Sequence, residues 1–229
     1  TMHFGLIMTI NLAIGYCNLC DGVIAPSESI AEMLRQQGVT RPVEVIPTGV
    51  NVQRFSGGDG KQFRRQHDIP ADAFVVGHVG RLAPEKNLGL LARAIARFAQ
   101  VHDGAHCLIA GHGPSLDEIK QTFAESELSS RLHLCGVLDP HELADCYAAM
   151  DVFAFASKSE TQGMVLTEAM AAGTPVVAID ASGVREVVVD GQNGRMLTCE
   201  DEDEFAAALR WIAERDEAKR AALIAEARA

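Results

Sequence analysis

The sequence predicts an α/β fold built on a doubly wound parallel sheet, and three observations carry that reading. From residue 73 onward, short apolar runs and helical runs succeed one another strictly, which calls for parallel strands joined by helical crossovers. The apolar runs do not alternate with polar residues, so the strands are expected to be buried on both faces. Glycines and charged residues gather just after these runs, at the strand ends where such sheets hold their ligands.

The elements follow in order. Asp21–Ala25 reads as a short strand, and Ser27 as the N-cap of a helix running to about Gln37 and closed by Gly38. Val43–Ile46 is a second strand. Pro47–Gly49 and Ser56–Gly60 are the most linker-like stretches, which puts a domain boundary near residue 50. Strands are then predicted at 73–80, 106–110, 132–135, 152–156, 175–179 and 194–197. Helices are predicted at 87–101, 115–125, 140–150 and 163–172, with a short element at 184–189 and helix from Asp201 to the end.

Composition bounds the function. The 229 residues are 48% hydrophobic and 22% charged, the profile of an ordinary globular protein. A net charge of −11, with Lys and Arg scattered, argues against a nucleic-acid partner. Six cysteines are present. Cys107, Cys135 and Cys146 lie in apolar surroundings and are expected as buried free thiols. Cys17 and Cys20 have C-x-x-C spacing but no partner pair, which disfavours zinc and leaves two free cytosolic thiols. Residues 1–20 are mostly apolar but lack a signal-peptide start and are broken below membrane-spanning length by His3, Gly5, Asn11 and Gly15. They are expected to form a buried element whose packing partner is missing from this chain.

The most informative pair is Glu160 and Glu168, with seven residues between them including Gly163, which stands at the predicted start of a helix. A helix N-terminus offers free N–H groups and partial positive charge to a diphosphate. Carboxylates on either side can accept hydrogen bonds from hydroxyls. Eight helical residues rise about 12 Å, roughly the reach from a sugar ring past a diphosphate to a ribose. Two surface acids on an amphipathic helix would explain an isolated E-x7-E as well. The cations upstream shift the balance. Gly80-Arg-Leu-Ala-Pro-Glu-Lys86 follows the strand at 73–80, and Arg81 and Lys86 would bring a fork and a point charge to phosphate oxygens.

Ala110-Gly-His-Gly-Pro114 and Gly136-Val-Leu138 are strand-end turns that either approach a ligand or simply connect strand to helix. The former lacks the third glycine of a dinucleotide fingerprint. Asp201–Glu204 reads as the acidic first turn of a helix rather than a metal site. Ser157, Ser159 and Thr161 have no evident histidine partner for a hydrolase triad. His78 and His112 are expected to be satisfied structural histidines.

Six segments together carry a resemblance: Val23–Ser27, Val45–Asn51, Gly80–Lys86, Ala110–Pro114, the Glu160/Glu168 run and Gly191–Gly194. In this order they resemble the family 4 type of retaining glycosyltransferases with the GT-B fold. The wording Glu160-Thr-Gln-Gly163 is similar to the branch that glucosylates diacylglycerol, where many other members have Phe in place of Gln162. The resemblance implies two Rossmann-like domains facing a cleft. Residues 50–229 would be the C-terminal, nucleotide-sugar-binding domain, and residues 1–49 the tail of the acceptor domain plus a linker.

The roles implied by the resemblance run position by position. Arg81 and Lys86 would hold the diphosphate and stabilise the leaving group, and Glu160 would hold the donor sugar. Gly163, Met164 and Val165 would meet phosphate or sugar through their backbone, and Glu168 would grip the ribose. Gly80, Gly111, Gly113 and Leu138 would border the donor and its base. The donor would be a UDP-hexose, transfer would retain configuration, and neither metal nor cofactor would be needed. The acceptor, carbohydrate or lipid, would lie on a domain preceding Asp21, so this chain alone would be inactive. The enzyme would be cytoplasmic, with peripheral membrane attachment left open. A nucleotide-binding module without chemistry and a GT-B nucleotide-sugar epimerase remain alternatives.

Overall fold

The computed structural model describes residues 12–228. The chain divides into two compact units, with the break between Gly49 and Val50. In the first unit, residues 12–19 form helix α1, followed by strand β1 (Val23–Ala25), helix α2 (Glu28–Gln36) and strand β2 (Val43–Val45). The strands pair in parallel, with Val23 opposite Val43 and Ala25 opposite Val45. The Ser27 hydroxyl accepts the Ile30 N–H at 3.3 Å and so caps α2.

Over residues 12–19 the apolar N-terminal stretch is helical and largely exposed. Leu12, Tyr16 and Leu19 are 62%, 65% and 80% exposed. Two strands and two helices offer too little apolar surface to cover a helix that is apolar on most sides. Residues 1–11 lie outside the described part of the chain.

The second unit is the α/β sheet. Its helices are α3 (Val52–Ser56), α4 (Gly60–Gln66), α5 (Leu88–Val101), α6 (Leu116–Glu125), α7 (Glu142–Ala148), α8 (Met164–Ala172), α9 (Ser182–Arg185), α10 (Glu202–Ala213) and α11 (Glu217–Arg228). Its strands are β3 (Phe74–Val79), β4 (Ala105–Ala110), β5 (Leu132–Gly136), β6 (Val152–Phe155), β7 (Val176–Ile179) and β8 (Gly194–Leu197). All are parallel, in the spatial order β5-β4-β3-β6-β7-β8. The chain therefore winds outward from β3 in one direction, returns, and winds outward from β6 in the other. The gap beyond β3 and β6 is the topological switch point, where such sheets open a crevice.

Both faces of the sheet are covered, and strand residues divide between them by parity. Val76, Cys107, Ile109, Val152, Ala154 and Val177 pack with α5, α6 and α10. Val75, Leu108, Phe153, Phe155 and Val176 pack with α3, α4, α7 and α8. The uninterrupted apolar runs follow from this double burial.

Four local expectations need correction. Ser56–Gly60 is no flexible linker. Asn51 Oδ1 accepts the Arg54 N–H and caps α3, and Asp59 Oδ1 accepts the Gln62 N–H and caps α4, both at 2.9 Å. The Asp59 N–H in turn donates to Asp145 Oδ1 at 2.6 Å. Helix α7 starts at Glu142 rather than Pro140, because Asp139 Oδ1 takes the N–H groups of His141 and Glu142. The terminal helix is two helices, the second starting beyond Asp216, whose Oδ1 accepts the Lys219 N–H at 2.8 Å. The element expected at 184–189 is a single turn, α9, at Ser182–Arg185.

Behind the sheet, Asp151 joins several elements. It accepts Arg64 Nη2 at 2.8 Å, Arg220 Nη2 at 2.9 Å and the Val75 N–H at 2.8 Å. These bonds tie α4 and α11 to the starts of β3 and β6, opposite the crevice end of the strands.

Candidate functional site

The loop after β3 and the loop after β6 meet at the switch point. The first turns at Gly80 and continues through a short 3₁₀ turn, Pro84–Lys86, before α5 begins. The second runs from Ala156 to Gly163, where α8 begins. The Glu85 carbonyl straps them together by accepting the Lys158 N–H at 3.1 Å and the Ser157 hydroxyl at 3.3 Å. Ser157 thus serves the loop.

Across this strap, Lys86 Nζ lies 3.3 Å from Glu160 Oε2, and both side chains are mostly buried. The ammonium also lies 5.7 Å from the centre of the Phe155 ring. The other oxygen, Oε1, faces the backbone N–H groups of Thr161, Gln162 and Gly163, at 3.1, 3.5 and 3.3 Å. A carboxylate is thus seated on the polar end of α8, where a turn of N–H groups and the helix dipole favour negative charge. Gly163 is obligatory at this corner. Its φ is +65°, and a Cβ there would stand 2.6 Å from the Gly183 carbonyl oxygen. Met164 and Val165 form the first turn of α8 and are half-buried.

Glu168 sits further along α8. Tyr147 of α7 donates its hydroxyl to Glu168 Oε2 at 2.8 Å. Burial raises the Glu168 carboxyl above its ordinary range, against the pull of the Tyr147 hydrogen bond and the Arg54 charge. The Tyr147 phenol is itself pushed well up, by burial and by the neighbouring carboxylate, so it remains a donor.

A third group of residues lines a cavity of about 270 Å³ bordered by Gly80, Arg81, Gly111, His112, Leu138 and Leu143. That is smaller than the roughly 300–1,000 Å³ of a complete small-molecule site, so it suits one part of an elongated ligand. Gly111 and Gly113 have close partners in the neighbouring loop. A Cβ on Gly111 would overlap the Gly80 carbonyl, and one on Gly113 the Leu82 backbone. Their absent side chains let two strand-end loops pack backbone to backbone, held by Leu82 N–H to His112 O and Ser115 N–H to Leu82 O.

The structure thus brings together Lys86, Glu160 and Gly163, and separately Gly80, Arg81, Gly111 and Leu138. Arg81 does not turn toward Glu160. It is 75% exposed and paired with Glu85 at 2.7 Å. Glu168 stands with Tyr147 rather than with Glu160. Sequence reasoning missed Tyr147 and Arg54, since neither lies in a strand-end motif. His78 is only half satisfied: Nδ1 bonds the Ala154 carbonyl at 3.0 Å, while among the described residues the buried Nε2 has no partner. A larger groove of about 710 Å³ between α5 and α10 lies elsewhere, and its lining charges Arg93, Arg97, Glu202 and Asp203 pair with one another.

Among the described residues, no group of three or more His, Cys, Asp or Glu is placed to hold a metal ion, and no helix is long and apolar enough to cross a membrane.

Comparisons with known proteins bear on the family and the fold. Residues 59–229 match the family model "Glycosyl transferases group 1", and residues 4–54 match "Glycosyltransferase Family 4". The chain is 31% identical over 187 residues to the alpha-monoglucosyldiacylglycerol synthase of Streptococcus pneumoniae, covering 80% of this chain and 42% of that protein. It is 37% identical over 181 residues to a D-inositol 3-phosphate glycosyltransferase of Kribbella flavida, covering 75% and 42% respectively. The chain therefore spans less than half the length of these curated relatives. Among solved structures, Anabaena Alr3699/HepE in complex with UDP-glucose superimposes with a TM-score of 0.85 at 28% identity, over 96% of this chain and 62% of that one. By the family model that spans most of its length, and by a fold shared with GT-B enzymes, this chain belongs to the group 1 glycosyl transferases.

Proposed function

We propose that residues 50–229 form the nucleotide-sugar-binding domain of a hexosyltransferase, and that the donor is a UDP-hexose. The observation that carries this reading is the convergence of Lys86, Glu160 and the N–H groups before α8 at the switch point of the sheet. In this reading the diphosphate lies over the start of α8 and against Lys86. The nucleotide base enters the cavity beside Gly80, Gly111 and Leu138, and Glu168 accepts from the ribose. Glu160 turns its carboxylate to the sugar hydroxyls. The relative bound to UDP-glucose supports UDP as the carrier.

When the glycosidic bond breaks, the leaving diphosphate gains negative charge. Lys86, the oriented N–H groups and Arg81, released from Glu85, would stabilise it where water is largely excluded. Two cations and a helix terminus supply this charge without a metal, and transfer proceeds with retention of configuration. The acceptor, a carbohydrate or a lipid, would be held by another domain of the full-length enzyme; the names of the relatives bear on the acceptor's chemistry alone.

The test is a thermal-shift panel with UDP, GDP and ADP on the 229-residue chain. A ligand that binds only the folded state raises the melting temperature by mass action. UDP is expected to raise it most. No shift with any of the three at millimolar concentration overturns the proposal.

A further inference from the structure

We infer that Tyr147 is a positioning residue for the nucleotide ribose: its hydroxyl holds Glu168 Oε2 and leaves Oε1 to receive the ribose hydroxyls. The inference rests on the proposed donor site and adds to it a residue outside every motif in the sequence. Tyr147 is fully buried, and its ring meets Phe55 and Phe153 edge-on at 5.8 and 5.6 Å between centroids. Its carbonyl accepts the Thr174 hydroxyl at 2.7 Å. The phenol is therefore fixed from behind by packing and offers one donor, at 2.8 Å, to one carboxylate oxygen. Among the described residues this is the one hydrogen bond made by the Glu168 side chain.

The bond has two consequences. A glutamate on a helix surface samples several rotamers, and ordering it on ligand binding costs affinity. Tyr147 removes that freedom before the ligand arrives. A carboxylate held in half-buried surroundings is also drawn toward the neutral form by desolvation. A buried hydroxyl donor opposes that and keeps an acceptor for two adjacent hydroxyls. Arg54 acts in the same direction by charge, from the helix whose Phe55 packs on Tyr147. The positioning assembly thus spans three helices, α3, α7 and α8.

A comparison of ligands separates positioning from plain structural support. Tyr147→Phe keeps the ring and removes only the hydroxyl. In calorimetric titrations it is expected to bind UDP about ten-fold more weakly than the wild type, the scale of one hydrogen bond to a charged acceptor. It is expected to bind 2′,3′-dideoxy-UDP, which lacks the ribose hydroxyls, as well as the wild type does. In a Glu168→Ala background the same substitution should change UDP affinity by less than about twofold, because the two residues act as one unit. Equal weakening toward UDP and the dideoxy analogue, or no weakening toward either, overturns the inference. So does an undiminished effect of Tyr147→Phe in the Glu168→Ala background. Failure of the wild type to bind any nucleotide overturns the donor-site reading itself and this inference with it.

Discussion

Lys86 Nζ and Glu160 Oε2 stand 3.3 Å apart although 74 residues separate them, because β3 and β6 are neighbours in the sheet. Each strand delivers one charged loop to the same point. The carboxylate spans a cation on one side and a turn of backbone N–H groups on the other. In the proposed donor site, Glu160 would compete with an incoming phosphate for this cation and these N–H groups.

That competition has a measurable sign. Glu160→Gln removes a negative charge that a diphosphate must otherwise displace or approach, so UDP is expected to bind no more weakly than to the wild type. The preference for UDP-glucose over UDP should fall, since the hydroxyl acceptor is weakened. Lys86→Met should weaken both ligands about ten- to a hundred-fold, as for a lost charge-assisted bond. Calorimetry with both ligands decides the matter. Equal weakening of UDP and UDP-glucose by Glu160→Gln would remove the sugar-facing role of that carboxylate.

Gly163→Ala tests the corner that opens α8. With φ at +65° and the Gly183 carbonyl 2.6 Å from the new Cβ, the substitution combines backbone strain with a steric clash. A loss of about 2 kcal/mol in urea unfolding is expected, together with weaker UDP binding. A variant as stable as the wild type would mean that this corner adapts freely.

Asp151→Ala tests the polar tie at the other end of the strands. It strands Arg64 and Arg220, both mostly buried, without their shared carboxylate. Leaving such charges uncompensated is expected to cost about 3 kcal/mol in unfolding free energy. UDP affinity in the remaining folded protein should be nearly unchanged, because the tie lies opposite the crevice. Arg64→Met should cost less, since a second cation still faces Asp151.

Acid lability should trace in good part to His78. Burial lowers its folded-state value to about 4, against an ordinary 6.5. Between these values the unfolded chain binds a proton that the folded chain refuses, so stability falls as pH drops from 6.5 toward 4. The maximum slope for one such group is about 1.4 kcal/mol per pH unit, giving about 3 kcal/mol over the window. His106 and His133, also lowered mainly by burial, add in the same direction. His78→Phe, whose ring would stack with Phe153 and Phe155, should flatten the dependence of the urea midpoint on pH across this range. An unchanged slope would assign the lability elsewhere.

Much of the architecture was legible because its causes are local. Uninterrupted apolar runs such as Val152–Phe155 and Val176–Ile179 announced strands covered on both faces, and strict alternation with helices announced parallel pairing. Ser27 before a helix and Gly163 and Gly173 around α8 are local backbone chemistry, and the structure places them accordingly. The order Ser56-Gly-Gly-Asp-Gly60 misled for the same reason. Its composition is that of a linker, while the bond from the Asp59 N–H to Asp145, which anchors it, depends on a residue 86 positions away.

The sequence by itself determined the α/β class, the two-sided burial and the positions of the polar strand-end loops, since periodicity and turn chemistry are written within a few residues. Only the tertiary structure decided which of those loops share a crevice and what each side chain does there. It joined Lys86 to Glu160, set Tyr147 against Glu168 and, among the described residues, left one nitrogen of His78 without a partner. These outcomes follow from strand order and long-range packing, and no local pattern of residues encodes either.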